Sequence, residues 1–401
     1  MERLRSILGR KFSQNLRIGL VGLPNVGKSA LYNVLVPHAP VPSANYAFCT
    51  IDPSTGRTPV PTPHLDALIP LAPDATVIPA ALNVTDIAGL VAGAADGEGL
   101  GNAFLANIRT ADAIAYVGRC FADGKVAHVA TGLDTPDPVQ DMRVIETELA
   151  LADLATLETA LARKGKKKKG GPGGDILPLD AEEVKPVISR VHQYLQDQGG
   201  MLAGMGDELI ALLEEHPEGA AALKSLHLLT AKPVVVVANV ADDYVLPGSV
   251  SGEMLAALQE STPHGSVIPV PVSLEADLAA IEDPDEAGEL LAMLGLDGAP
   301  CGSQEFVQHA YDTTLGLQSF YTCGEAEIRA WTIPSFAPAH VAARAIHSDI
   351  ADNLVRTDAI SVSNLVAQGS WASARSSGLV RSEGRDYPLQ PDDVILFHSR
   401  P

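Results

Sequence analysis

Residues 16–21 read Leu-Arg-Ile-Gly-Leu-Val, a short apolar run with the length and bounds of a buried strand. Comparable runs recur at residues 81–86, 113–117, 233–237 and 266–272. The run at 233–237 is continuous and β-branched, as a strand covered on both faces requires. Residues 30–35 and 102–110 read as helices between them, so the first part of the chain is expected to fold as an α/β domain. From Pro138 the period changes. Ile145, Leu149, Ala152, Leu154, Leu157 and Leu161 recur at three- and four-residue spacing with acids between them. A second helical stretch starts near Asp180, with Val184, Ile188, Val191 and Leu195 on one side. Together they predict a helical hairpin over roughly 138–230, inserted in one sheet domain because the strands resume after it.

The composition breaks at residues 297–302. Beyond it, residues 328–333 alternate like a strand, Ala342, Ile346, Ile350 and Leu354 step by four as a helix would, and residues 393–397 read as a last strand. The expected division is a flexible extension at 1–15, a sheet domain at 16–302 carrying the hairpin, and a small α+β module at 303–401.

At 401 residues, with 46% hydrophobic and 19% charged positions, the composition is that of a soluble protein. No run approaches the roughly 18 to 20 apolar residues that cross a bilayer. The net charge of −21 opposes attraction of the whole molecule to a membrane or to nucleic acid, so any such contact must be local. Cys49, Cys120, Cys301 and Cys323 lack Cys-x-x-Cys spacing, which fits reduced thiols and a cytoplasmic setting. Arg3, Arg5, Arg10, Lys11 and Arg17 stand against Glu2 alone near the N-terminus. That composition keeps organelle targeting as the alternative to an ordinary extension. Arg163, Lys164, Lys166, Lys167, Lys168 and Lys169 form a basic tip on the hairpin, suited to RNA phosphates or simply to solvent. Residues 306–401 hold seven arginines and ten acids, a net −3, so RNA binding by that module would need a small patch.

The chemistry centres on Gly22-Leu-Pro-Asn-Val-Gly27-Lys28-Ser29, a G-x-x-x-x-G-K-S loop between a strand and a helix. Loop amides and the helix N-terminus converge on phosphate, Lys28 meets the outer phosphates, and the Ser29 hydroxyl is a Mg²⁺ ligand. In the proline-rich stretch that follows, Thr50 is the candidate for a second hydroxyl on the metal. Asp86-Ile-Ala-Gly89 at a strand end supplies a carboxylate for Mg²⁺ and a glycine amide for the terminal phosphate. Leu90 stands where related switches place a water-orienting glutamine. His128 is the candidate for that task, against the plainer reading of a surface histidine. Asn239-Val240-Ala-Asp242 and Ser273 lie where a nucleotide-binding sheet reads its base.

The series Gly22-Leu-Pro-Asn-Val-Gly-Lys-Ser29, Phe48-Cys-Thr-Ile51, Asp86-Ile-Ala-Gly-Leu90, Gly97-Glu-Gly-Leu-Gly-Asn102, Arg329-Ala-Trp-Thr-Ile333 and Glu383-Gly-Arg-Asp-Tyr387 resembles the Obg-like ATPase family, whose bacterial members are called YchF. The resemblance implies a P-loop G-domain interrupted by a coiled-coil hairpin and followed by a β-grasp TGS domain. It implies slow hydrolysis of ATP in preference to GTP, Mg²⁺, and association with ribosomes, for which Lys166 to Lys169 and the TGS domain are the candidate contacts. Nucleotide contacts would come from Asn25, Val26, Gly27, Lys28, Ser29, Ala30, Gly89, Asn239, Val240, Asp242 and Ser273, and metal contacts from Ser29, Thr50 and Asp86. Asn25 would also be a K⁺ ligand. A monomer without sequence-specific DNA binding is expected. Asp242 departs from the family's glutamate and favours guanine, which leaves a GTPase as one alternative. A ribosome-binding scaffold stabilised by nucleotide is the other.

Overall fold

The computed structural model describes residues 15–36, 55–87, 100–122, 136–162, 181–262, 266–281, 283–294, 296 and 301–400. Twelve strands are named here in chain order: β1 (Arg17–Val21), β2 (Thr55–Pro59), β3 (Thr76–Ile78), β4 (Ala81–Asp86), β5 (Ala113–Cys120), β6 (Val234–Val240), β7 (Val267–Val270), β8 (Leu317–Cys323), β9 (Glu327–Pro334), β10 (Leu354–Ser361), β11 (Arg381–Glu383) and β12 (Asp393–Ser399). The chain divides into two compact units.

The first unit takes Arg17–Leu35 and Val84–Phe306. Its strands are ordered β4-β1-β5-β6-β7, and β1, β5, β6 and β7 run parallel. Every residue of β5 is buried, and β6 is buried after its first residue, as strands covered on both faces must be. The loop at residues 22–29, Asp86 and the segment from Asn239 to Asp242 therefore follow the C-terminal ends of neighbouring strands, where open α/β sheets place their ligands.

The insertion is larger than a hairpin. Helices Pro138–Ala162, Lys185–Gln198, Asp207–Glu215 and Pro217–Ser225 share a core of Leu157, Val187, Val191, Leu195, Leu209 and Leu223. Its return to the sheet is fixed by Asp153, which is buried in the long helix. That carboxylate accepts from Leu229 N at 3.0 Å, Thr230 N at 2.8 Å and Thr230 Oγ1 at 2.7 Å. Burial pushes the Asp153 carboxyl up, against the pull of these hydrogen bonds.

The second unit takes Val36–Asn83 and Val307–Pro401. Its sheet has the order β11-β10-β12-β8-β9-β3. β3 pairs in parallel with β9, Thr76 opposite Glu327 and Ile78 opposite Arg329, so a strand from the early part of the chain joins the C-terminal sheet. His64 meets the edge of Tyr321 with ring centroids 5.9 Å apart. Helix Ala339–Ile346 lays Ala339, Ala342 and Ala345 against Phe320, Ile333, Ala359 and Ile395.

The helix expected to run from Ala342 to Leu354 is broken. His347 is extended, and its ring nitrogen Nδ1 accepts from Asp349 N at 3.2 Å to start the separate helix Ser348–Asp352. Leu354 already begins β10. The side-chain cap overrides the four-residue apolar period.

Candidate functional site

The loop after β1 is shaped by two left-handed residues, Asn25 at φ 63° and Gly27 at φ 96°. Gly27 is required twice over, because a Cβ there would lie 2.3 Å from Asn239 Nδ2 as well as facing the strain of positive φ. Gly22 is similarly confined, its Cβ position being 2.6 Å from the Val117 carbonyl oxygen. Asn239, 6% exposed near the end of β6, donates Nδ2 to the Val26 carbonyl at 2.9 Å. The sequence placed Asn239 at the base. In the structure its amide nitrogen holds the phosphate loop against the sheet.

Lys28 opens helix Lys28–Leu35 and curls back over the loop. Its Nζ donates to the carbonyls of Gly22 at 3.0 Å and Leu23 at 2.8 Å. Burial lowers the ammonium to about 8, opposed by the charge of Asp86. The charge is thus poised for an anion that would restore its ordinary basicity. Ser29 and Ala30, in the same first turn, are exposed.

Ser29 Oγ donates to Asp86 Oδ2 at 2.7 Å. The other oxygen, Asp86 Oδ1, is shielded from solvent and has no hydrogen-bond partner among the described residues. A desolvated carboxylate oxygen without a donor is unfavourable, and a cation answers it. Mg²⁺ prefers oxygen ligands and is commonly bound by one or two carboxylates together with substrate phosphates. Ser29 and Asp86 have that chemistry.

At the end of β6, Val240 is buried and Asp242 is exposed. Partial burial, then Asp277 and Asp243, push the Asp242 carboxyl up. The loop that follows is pinned by a buried serine missed in the sequence. Ser251 Oγ accepts from Ala241 N at 2.9 Å and donates to the Cys120 carbonyl, joining the ends of β6 and β5. The available signal was Ser249-Val-Ser251 at the start of an amphipathic run. Ser249 caps helix Val250–Ser261 by accepting from Gly252 N at 3.0 Å. Ser273 is exposed in the first turn of helix Val272–Leu278, whereas Glu275 is buried in the same helix.

The structure therefore brings Asn25, Val26, Gly27, Lys28, Ser29 and Asp86 together, and holds Asn239 against them. Thr50, Gly89, Leu90, His128 and the Lys166, Lys167, Lys168 and Lys169 tip lie outside the described residues, as do residues 1–14.

A family model described as "50S ribosome-binding GTPase" matches residues 17–166. Another, the YchF-type GTPase C-terminal model, described as "Protein of unknown function (DUF933)", matches residues 317–400. The chain is 39% identical over 383 residues to the protein named ribosome-binding ATPase YchF from Escherichia coli O157:H7, covering 95% of this chain and 98% of that one. It is 38% identical over 383 residues to its namesake from Pasteurella multocida, with the same 95% and 98% coverage. Among solved structures, the Schizosaccharomyces pombe YchF GTPase superposes with a TM-score of 0.78 at 31% identity, covering 98% of this chain and 99% of that one.

Proposed function

The chain belongs to the YchF/Obg-like ATPase family, and from that premise we propose that it is a nucleotide-dependent switch that hydrolyses ATP slowly and acts on the ribosome. The observation carrying this reading is the Lys28–Ser29–Asp86 arrangement. A buried ammonium lies across the loop carbonyls, and a hydroxyl–carboxylate pair beside it has one carboxylate oxygen without a hydrogen-bond partner among the described residues.

In this reading the loop amides and Lys28 bind and orient the phosphates. Their donors are in place before charge develops on the transferring group, which is how such sites lower a barrier. Ser29 and Asp86 hold Mg²⁺, with Thr50 as the second hydroxyl. When bound, the metal neutralises charge on the outer phosphates. Leu90 leaves the attacking water without the usual amide, in keeping with slow turnover, and His128 takes the water-orienting role. Ribosome association is the property in the names of the bacterial relatives, and the basic tip and C-terminal unit are the proposed contacts.

GTP is the second reading, favoured by the Asp242 carboxylate, which can accept from the guanine edge. Competition of ATP and GTP for the purified protein separates the two. Asp242→Glu should move the preference toward ATP.

The deciding experiment is co-sedimentation with ribosomes in ADP and in a non-hydrolysable ATP analogue, for wild type and Lys28→Ala. Nucleotide-dependent association lost in Lys28→Ala is expected. Association indifferent to nucleotide would replace the switch with a scaffold.

A further inference from the structure

We propose that Glu275 is a positioning residue for the nucleotide base, acting by clamping helix Val272–Leu278 to the start of helix Gly302–His309. This deepens the nucleotide-binding reading given above and rests on it. Glu275 is only 6% exposed. Both carboxylate oxygens accept from Ser303 N, at 3.1 and 3.3 Å. The first turn of a helix leaves backbone N–H groups without intrahelical partners, and Glu275 satisfies one of them from a different helix.

The fit around this contact is close. A Cβ on Gly302 would lie 2.4 Å from the Pro269 carbonyl oxygen, 3.1 Å from Val270 Cα and 3.2 Å from Glu275 Oε1. The second helix therefore starts directly against the end of β7, and glycine is what permits the approach. Cys301 Sγ lies 3.2 Å from Ser303 Oγ in the same turn.

The consequence for the base follows from helix geometry. Glu275 N closes the first turn on the Pro271 carbonyl at 2.9 Å. Two residues along a helix are about 200° apart, so drawing the Glu275 side chain inward fixes Ser273 on the outward face. Asp277, one turn beyond Ser273, is exposed with it. β7 pairs with β6 so that Val270 lies opposite Asn239. The outward face of helix Val272–Leu278 thus rises beside the strand that delivers Asp242. The Glu275–Ser303 contact sets how far that face stands from the base. Among the described residues Glu275 makes no hydrogen bond to the phosphate loop or to Asp86, although the helix it anchors also packs against helix Lys28–Leu35.

The test compares Mg²⁺-ATP with Mg²⁺-tripolyphosphate, which carries the phosphates without the base, for wild type, Glu275→Ala and Glu275→Gln. Glu275→Ala should lose about tenfold in ATP affinity, the effect of one charge-assisted hydrogen bond, while tripolyphosphate affinity stays within about twofold. The KM for ATP should rise with kcat retained. Glu275→Gln keeps an acceptor for Ser303 N and should restore most of the ATP affinity. Equal losses for both ligands would reduce Glu275 to a general structural role, and an unchanged ATP affinity in Glu275→Ala would also overturn the proposal. If wild type binds neither ligand, the nucleotide-binding reading itself fails.

Discussion

Lys28 offers a prediction that can be worked through from its surroundings. In the ligand-free site the ammonium titrates at about 8 because burial disfavours its charge. Phosphates placed against Nζ raise that value, so binding takes up a proton wherever free Lys28 is partly neutral. With a bound value well above the range, uptake should be about 0.1 proton at pH 7, about 0.5 at pH 8 and about 0.9 at pH 9. Linkage then fixes the sign for affinity. Binding is strongest below pH 8 and weakens above it, by about tenfold between pH 7 and pH 9. The second ionisation of a phosphate lies near pH 6, so the nucleotide contributes little in this window. Isothermal titration of a Mg²⁺-nucleotide in buffers of different ionisation enthalpy measures the uptake directly. Lys28→Arg is the control, because a guanidinium stays charged throughout and its uptake should vanish. Uptake that is absent in wild type, or unchanged in Lys28→Arg, would refute the assignment.

Three further outcomes are expected. Asn239→Ala removes the hydrogen bond to the Val26 carbonyl; equilibrium binding should show losses of about tenfold that are similar for ATP, GTP and tripolyphosphate, because the amide supports the loop. Asp153→Ala leaves two backbone donors and a hydroxyl unpaired where the insertion rejoins β6, and should cost about 2 kcal/mol in chemical denaturation. Asp358 is 4% exposed. Burial acts to raise its carboxyl, but the hydrogen bond and charge of His398, with Arg375 and Arg356, outweigh burial and hold it below the ordinary carboxylate range. Its stabilising contribution is therefore complete above about pH 4 and lost as pH falls further. Asp358→Asn should destabilise the protein at pH 7 and flatten its stability loss in acid, as read from urea melts at the two extremes.

Local pattern made much of the first unit legible. The phosphate loop follows the apolar run of β1, Asp86 closes the alternating β4, and Asn239 stands near the end of the continuous apolar run of β6, so each feature is adjacent in sequence to the strand that delivers it. What was hidden depends on pairs far apart in the chain. Nothing near Asn239 indicates that its amide meets Val26, and nothing near Glu275 indicates Ser303. Glu275 follows Ser273 by two residues, yet it is buried where Ser273 is exposed. The break at His347 was obscured because apolar spacing says nothing about a ring nitrogen capping the next turn. β3 was missed since three residues with one buried side chain carry no readable alternation.

That short strand also constrains how the second unit can be made. Val77 pairs with Ile328, about 250 residues later, a separation that slows sheet closure. During synthesis, residues 76–78 leave the ribosome long before β9 exists, and they must stay available without aggregating until it does. A fragment comprising only residues 303–401 would expose the β9 edge that β3 normally occupies, an open template for self-association. The separable piece is therefore discontinuous: a fusion of residues 62–80 to 307–400, which carries β3 but leaves out β2 and β4 of the other sheet, should be the more soluble of the two.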